Sequence, residues 1–554
     1  MSAPTPALVT WRAVRPLPRP ALLLLCAAYV LPGVLGRDPW RNADITAFGY
    51  MLSLAQGRGN GWVPSLGGIP AEAALLPHWL GSVFIYAMSS WVEPAIAARV
   101  PFAILLALVL ALTWYTCFQL ARTDAAQPVT LAFGGEAETV DYARAIADAA
   151  VLALIASLGL LQLGHETTPE LAQLFGVSLF LWSLAAAPYR VWQVRAAAFG
   201  ALVVVSGSGA PAMGAAIGAA GALVCARSSY AQVRAHTPWV ILATLASAIL
   251  AGWMGVWAWR VDMRFDAKQL IQIGRLWLWF MWPSWLLALW TLWRWRGFLQ
   301  HRHVSVPLLT VVVALLSTIG MGASERALLL GLPGLAVLAA FALPTLNRST
   351  TAAIDWFSII LFTLCAGALW VIYMSVQTGL PAKPAANIQR LGPGFVPQFS
   401  GLALALALLG TACWVWLVRW RTGRHREALW KSLVLPAGGV TLCWLLLMTL
   451  GLPMLDYARS NRPLVERLSQ HVPAQECIAA PNQALSLIAA LEYFGPYRVD
   501  ARYGAAQTRC DYLVRVEPVD KASPAPQGWT RVARVRRPTD RDNLTSVYRR
   551  NASG

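Results

Sequence analysis

Only 13% of the 554 residues are charged, and four short groups of them have the types and spacing to do chemistry. The first runs Arg37-Asp38-Pro39-Trp40-Arg41-Asn42-Ala43-Asp44 and is followed, after an apolar stretch, by Gly67-Gly68-Ile69-Pro70-Ala71-Glu72. Asp44 and Glu72 are two carboxylates in one segment, able to take a proton from an attacking hydroxyl or to hold a substrate, although two acids in a loop are more often simply solvated. The second, Leu163-Gly164-His165-Glu166-Thr167-Thr168-Pro169-Glu170, interrupts two apolar stretches. Proline after two threonines suits a turn feeding a helix, with Thr168 as its cap and Glu170 in its first turn. That accounts for Glu170 but not for His165 and Glu166, since a tight turn needs neither. The third group is Arg260, Asp262, Arg264, Asp266, Lys268 and Arg275. Its cations can grip a lipid phosphate or pyrophosphate, or anchor the loop at an interface through internal ion pairs. The fourth, Ser324-Glu325-Arg326, has only a short turn to hold it, and its two charges can also neutralise each other.

The elements that must position these groups are membrane helices. The chain is 57% apolar, and a soluble domain would carry roughly a quarter charged residues. Apolar blocks such as Ala21–Leu35, Val304–Met321, Ile354–Met374 and Gly401–Val418 are long enough to cross roughly 30 Å of hydrocarbon as helices. Further blocks lie near 100–120, 148–163, 171–187, 197–206, 211–225, 238–258, 276–293, 327–343 and 432–451. The fold class is therefore an all-α polytopic membrane protein with about thirteen spans. The first block reads as an uncleaved anchor rather than a signal peptide. With the N-terminus in the cytoplasm, Arg190 and Arg195, Arg227 and Arg234, Arg294 and Arg296, Arg348, and the run Arg419 to Lys431 all fall inside, as retained positive charge requires. Residues 121–147 fit least well, being placed inside yet acidic. The net charge of +18 is explained by these loops meeting anionic lipid, and nucleic acid is not expected as a partner.

An odd number of spans leaves the chain after about Leu452 outside. Residues 1–451 form the transmembrane domain, with a first external loop over 37–98 that carries surface helices, and residues 452–554 form a small α/β domain. Arg462–Gln470 and Ala484–Phe494 have helical periodicity, while Cys477–Ala480, Tyr497–Ala501, Cys510–Val516, Trp529–Val535 and Thr545–Arg549 suit short strands. Cys477 and Cys510, alone among eight cysteines in lying in polar sequence, are either a disulfide between two of those strands or two free thiols. The first, second and fourth ionisable groups share the outer face in this topology, which was drawn without reference to them and points to one external polar site.

The pattern resembles the membrane GT-C glycosyltransferases, in the aminoarabinose transferase and protein O-mannosyltransferase branch. The residues that carry the resemblance are Pro39-Trp40-Arg41-Asn42-Ala43-Asp44, then Gly61-Trp62-Val63-Pro64, then Glu72 with Trp79 following, then Ala98-Arg99-Val100-Pro101. His165 to Glu170 takes the place of the family's second acidic loop motif, and Glu325-Arg326-Ala327-Leu328-Leu329-Leu330 resembles its arginine-containing start of a late span. The span number and the external C-terminal domain also match. Two positions depart: Ala43-Asp44 stands where the family has Asp-Glu, and Ala73 where it has the lysine that holds the donor phosphate. Arg264, Lys268 or Arg275 would then supply that cation.

The resemblance implies inverting transfer of a sugar from a polyprenyl-phosphate donor to lipid A, another glycan or a protein, at the periplasmic face of a bacterial inner membrane. Asp44 would act as base or orient the acceptor, and Glu72 would position acceptor or donor. His165, Glu166 and Glu170 would line the cavity, while Arg326 with Arg264, Lys268 and Arg275 would hold phosphate. A divalent metal bridging Asp44, Glu166 and phosphate is compatible with these residues. The competing readings are a catalytically inactive relative and, from another class, a transporter or lipid flippase. Against the latter, the sequence has neither repeated halves nor helices broken at mid-membrane.

Overall fold

Backbone groups that meet hydrocarbon instead of water must be satisfied within the chain, and each apolar block accordingly becomes helix. The computed structural model describes residues 5–129, 135–257, 267–423, 428–520 and 524–551. Among them, seven helices are long and apolar enough to cross a membrane: Pro94–Ala121, Pro169–Ala186, Ala231–Trp253, Arg302–Gly320, Arg348–Thr378, Gly401–Thr422 and Lys431–Thr449. The expected anchor is a shorter apolar helix, Arg19–Val30, as are Trp192–Gly207 and Pro211–Ala226.

Three expected spans are broken; the block 148–163 divides at the extended Ser157 into Thr139–Ala156 and Leu158–Leu163. The block 276–293 breaks into Ala267–Phe280 and Ser284–Arg294. The break falls at Pro283, which has no N–H to donate and whose ring disfavours helix for Trp282. The polar groups freed there find partners: the Trp282 carbonyl accepts from Leu158 N at 3.0 Å, and the Ser157 and Ser284 hydroxyls meet at 2.8 Å. The block 327–343 is likewise two pieces, Glu325–Leu329 and the buried helix Leu332–Ala340.

The chain divides into two compact units. The first comprises Met1–Pro32, Phe102–Ala366 and Leu406–Leu446. Its helices approach closely where side chains vanish: a Cβ on Gly176 would stand 2.9 Å from the Ala201 carbonyl, and one on Gly334 2.5 Å from that of Pro307. Small residues at such crossings let membrane helices gain dispersion energy that lipid alone would not give. A buried carboxylate adds a polar tie. Asp148 on Thr139–Ala156 accepts from Arg19 (2.9 Å), Trp114 Nε1 (2.7 Å) and Leu17 N (3.3 Å), which fixes the start of Arg19–Val30.

The second unit comprises Gly33–Pro101, Gly367–Ala405 and Leu447–Gly554. The segment expected to carry surface helices holds Ala43–Ala55, which is largely buried, and Leu75–Met88, with a small antiparallel sheet of Gly59–Asn60, Val63–Leu66 and Ile69–Pro70 between them. The tail follows the predicted alternation closely. Its five strands run in the order Arg498–Asp500, Cys477–Ala479, Tyr512–Pro518, Asn543–Arg550, Trp529–Val535, parallel in the first two pairings and antiparallel in the last two. Cys477 and Cys510 form a disulfide, beside a core of Ala479, Leu513, Trp529 and Tyr548. Loop and tail are packed together. Gly49 sits so near helix Leu485–Phe494 that a Cβ there would lie 2.7 Å from Ala489 Cβ, Phe48 meets Tyr493 edge-on at 4.7 Å, and Arg58 pairs with Glu492 at 2.9 Å.

Candidate functional site

In the first unit, two turns that each link apolar helices meet through one guanidinium. Arg326 donates from Nη2 to Glu166 at 3.0 Å and from Nη1 to Glu170 at 2.9 Å, and Gln162 Nε2 adds a bond to the other Glu166 oxygen at 2.9 Å. Ser324 caps the helix that presents Arg326 by accepting from Ala327 N, and Gly322 and Ala323 at positive φ turn the chain into it. Burial works against the Arg326 charge, but the two glutamates outweigh it and hold its pKa above the ordinary arginine value. The expected self-neutralising pair Glu325–Arg326 is thus replaced by a pairing between turns, because only Arg326 faces the acids while Glu325 is exposed.

The rest of the 163–170 turn differs from expectation in two ways. Thr168 occupies the cap position of Pro169–Ala186 but its hydroxyl makes no cap bond. His165 faces backbone rather than a cavity: Nδ1 lies 2.7 Å from the Leu161 carbonyl and Nε2 2.8 Å from that of Tyr29, with the ring against Trp444 at 4.5 Å. A neutral imidazole can donate to only one of these carbonyls at a time. His165 therefore ties its turn to the end of the first helix.

Of the third group, Arg264 lies outside the described residues, together with Arg260, Asp262 and Asp266. Lys268 and Arg275 are exposed on helix Ala267–Phe280, seven residues apart and hence on one face.

The second unit holds the other acids. Asp44 begins helix Ala43–Ala55, where the helix dipole favours a carboxylate. It is 1% exposed, accepts from Trp40 N at 3.0 Å, and pairs with Arg37 Nη2 at 3.4 Å. Arg99, also buried, reaches the Val34 carbonyl at 3.5 Å and is close enough to feel the charges of Arg37 and Asp44. The turn that carries Asp44 is held by the tail. Asp456 accepts from Trp40 Nε1 at 2.8 Å and Asp38 N at 3.2 Å, while Arg462 grips Asp38 with two bonds of 2.9 and 2.6 Å. The Trp40 ring meets the guanidiniums of both Arg37 (4.6 Å) and Arg459 (4.9 Å). Burial pushes the Asp456 carboxyl up to about 7.

Glu72 is exposed, in contrast to Asp44, so the two are not an equivalent pair. Its charge reaches Tyr50, whose phenol is pushed up to about 12 by burial first and then by Glu72. Tyr50 packs on the buried His78 at 5.2 Å, and the Trp79 ring N–H donates to the Trp62 carbonyl at 2.8 Å. Among the described residues no three His, Cys, Asp or Glu side chains gather as metal ligands. Sequence reasoning passed over Arg37, Arg99 and Asp456 as site residues. The signal for the first two was present, since each is an arginine in or beside an apolar helix close to a motif acid; Asp456 offered none.

No protein-family model matches the chain, and no curated protein does. Solved structures do. The chain is similar to the aminoarabinose transferase ArnT from Cupriavidus metallidurans bound to undecaprenyl phosphate, with a TM-score of 0.59 at 15% identity over 96% of this chain and 98% of that one. It is also similar to apo ArnT from the same organism, with a TM-score of 0.58 at 13% identity over 95% and 98%. At such identity the likeness is one of fold, and the chain has an ArnT-like fold.

Proposed function

We propose that this chain is a membrane glycosyltransferase that moves a sugar from a polyprenyl-phosphate donor to a lipid, glycan or protein acceptor, with inversion, at the outer face of the inner membrane. The observation that carries the reading is the end-to-end likeness to a transferase captured with undecaprenyl phosphate. A lipid-linked donor cannot be handled from bulk water, and a multi-span fold with a few ionisable groups among apolar helices suits it.

In this reading Asp44 orients the acceptor and takes its proton as the anomeric carbon is attacked. Arg37 and Arg99, both buried in the same unit as Asp44 and within reach of its charge, supply the cation that the motif lysine would have given at Ala73. Glu72 positions a substrate from the surface of the same segment. Glu166 and Glu170 offer acceptor oxygens that suit sugar hydroxyls better than phosphate, so Arg326 acts by holding them in place.

The test supplies purified protein in detergent with a polyprenyl-phosphate sugar, where no transbilayer movement can be scored. Release of polyprenyl phosphate only when acceptor is present, with inverted anomeric configuration in the product, supports the reading. Acceptor-independent release, or no release with any acceptor class, overturns it.

A further inference from the structure

The second unit carries a cationic cavity, next to the turn that bears Asp44 but not lined by Asp44, Asp38 or Asp456. It has a volume of about 470 Å³ and is lined by Arg41, Arg459, Arg537 and Arg541, with Thr539 and the acids Asp540 and Asp542. Four guanidiniums face two carboxylates, and one of those carboxylates is already in use. Asp540 Oδ1 accepts from the backbone of Asp542 and Asn543, both at 3.1 Å, which shapes the loop. Its other oxygen lies 3.9 Å from Arg537 Nη2, too long for a close pair.

Arg537 is the informative member. It is 7% exposed, and burial followed by the nearby Arg41 charge holds its pKa below the ordinary arginine value. Two like charges kept together, one of them desolvated, cost free energy that a weak pair at 3.9 Å does not offset. A helix end accounts for part of the arrangement: Arg537 Nη1 and Thr539 Oγ1 both donate to the Ala458 carbonyl, at 3.4 and 3.1 Å. It does not account for Arg41, which is exposed and has no carboxylate partner among the described residues, nor for Arg541, whose carbonyl accepts from Arg536 and so fixes the loop that presents it. The cavity walls are also pinned, since Arg41 N donates to the Arg459 carbonyl at 2.9 Å. What is built is a fixed, roomy, net positive recess with forked donors on several sides, the geometry that arginine uses for phosphate.

We propose that this cavity binds a phosphomonoester or diphosphate group, borne either by a membrane lipid or by a free phosphate compound. Arg537 supplies the buried charge, Arg41 and Arg541 close on the anion from the rim, and bound phosphate relieves the repulsion between Arg41 and Arg537. Binding weakens as salt rises, because the rim charges are exposed.

The experiment uses the full chain in phosphatidylcholine nanodiscs and reads binding without any transfer, so it stands whichever way the activity assay falls. One arm titrates inorganic pyrophosphate by calorimetry; the other adds phosphatidic acid to the disc and reads co-purifying lipid by native mass spectrometry. The Arg41→Ala and Arg541→Ala double variant, both changes at exposed positions, is expected to weaken binding at least tenfold, while Arg531→Ala, the same kind of charge loss at an exposed strand position, leaves it unchanged. Saturable binding in the first arm assigns a free phosphate compound, and selective lipid retention in the second assigns a headgroup. No binding in either arm, or binding that the double variant leaves intact, overturns the proposal.

Discussion

In the first unit the charges of Glu166, Glu170 and Arg326 come from two turns between apolar helices and satisfy one another directly. In the second, Asp38 and Trp40 take their partners Asp456 and Arg462 from 416 to 424 residues further along the chain. The first arrangement is a closed lattice in which one guanidinium serves two acids. The second is a chain of supports, in which the tail holds the turn and the turn holds a buried Asp44 against Arg37. The contrast teaches that similar residue types are used differently: in the lattice removing the hub strands two carboxylates, whereas in the supports removing an outer member loosens an inner one.

The largest effect is expected where chemistry and support coincide. Asp44→Asn keeps the shape and the Trp40 N–H bond but removes the charge. Loss of a base costs on the order of 10²- to 10⁴-fold in rate, so initial rates of sugar transfer should fall by about that factor while expression and membrane insertion hold. Full activity in Asp44→Asn would remove the residue from the mechanism.

Next comes the hub of the lattice. Arg326→Met takes from Glu166 and Glu170 the guanidinium they share, and breaking such a pair costs about 3 kcal/mol. The expected readout is a lower unfolding temperature, restored in large part when Glu166→Gln and Glu170→Gln are added. If the triple variant is no more stable than Arg326→Met, the glutamates are not what the arginine serves.

A smaller loss is expected in the supports. Arg462 is partly exposed while it grips Asp38, so Arg462→Ala should cost about 1 kcal/mol in stability. If the support argument holds, it should also slow transfer without touching Asp44, through poorer orientation of the turn. Unchanged transfer would separate the tail from the site.

The two regions also differed in how much the sequence disclosed. The apolar helices, seven of them of membrane-crossing length among the described residues, the positions of all five tail strands and the ionisable turns at 163–170 and 324–326 were legible, because membrane helices and short strands announce themselves by local periodicity. The breaks inside 276–293 and 327–343 were less so: Pro283 could be read as a helix breaker, but blocks judged by apolar content alone hide it. The two carbonyl contacts of His165 were not legible, because a histidine that ties turn to helix looks, in sequence, like one that lines a cavity. The partners of Asp38 and Trp40 were illegible for a plainer reason. A tail more than four hundred residues away is brought to the turn by packing, such as Gly49 against Ala489, and no local pattern records it.

The smallest effect sharpens the comparison through pH. Asp456 is raised to about 7, mainly by burial, so the folded chain holds its proton more tightly than the unfolded one. Its contribution to stability is fully present below about 4 and is lost as pH rises through about 7. His78, lowered to about 4 by burial, has the opposite slope: the folded state resists its protonation, and stability grows as pH rises from about 4 to its ordinary value. The two nearly oppose one another, which makes the raw pH profile a poor guide. The informative quantity is the difference in unfolding temperature between the native chain and Asp456→Asn. That difference should change steadily in favour of the variant between pH 4 and 7, since asparagine keeps an acceptor for Trp40 Nε1 but cannot ionise. Arg326 itself does not titrate over this range, because the guanidinium stays charged throughout. A flat difference for Asp456→Asn would mean that the support beneath Trp40 is as permanently charged as the lattice, and the contrast between the two regions would lose its electrostatic part.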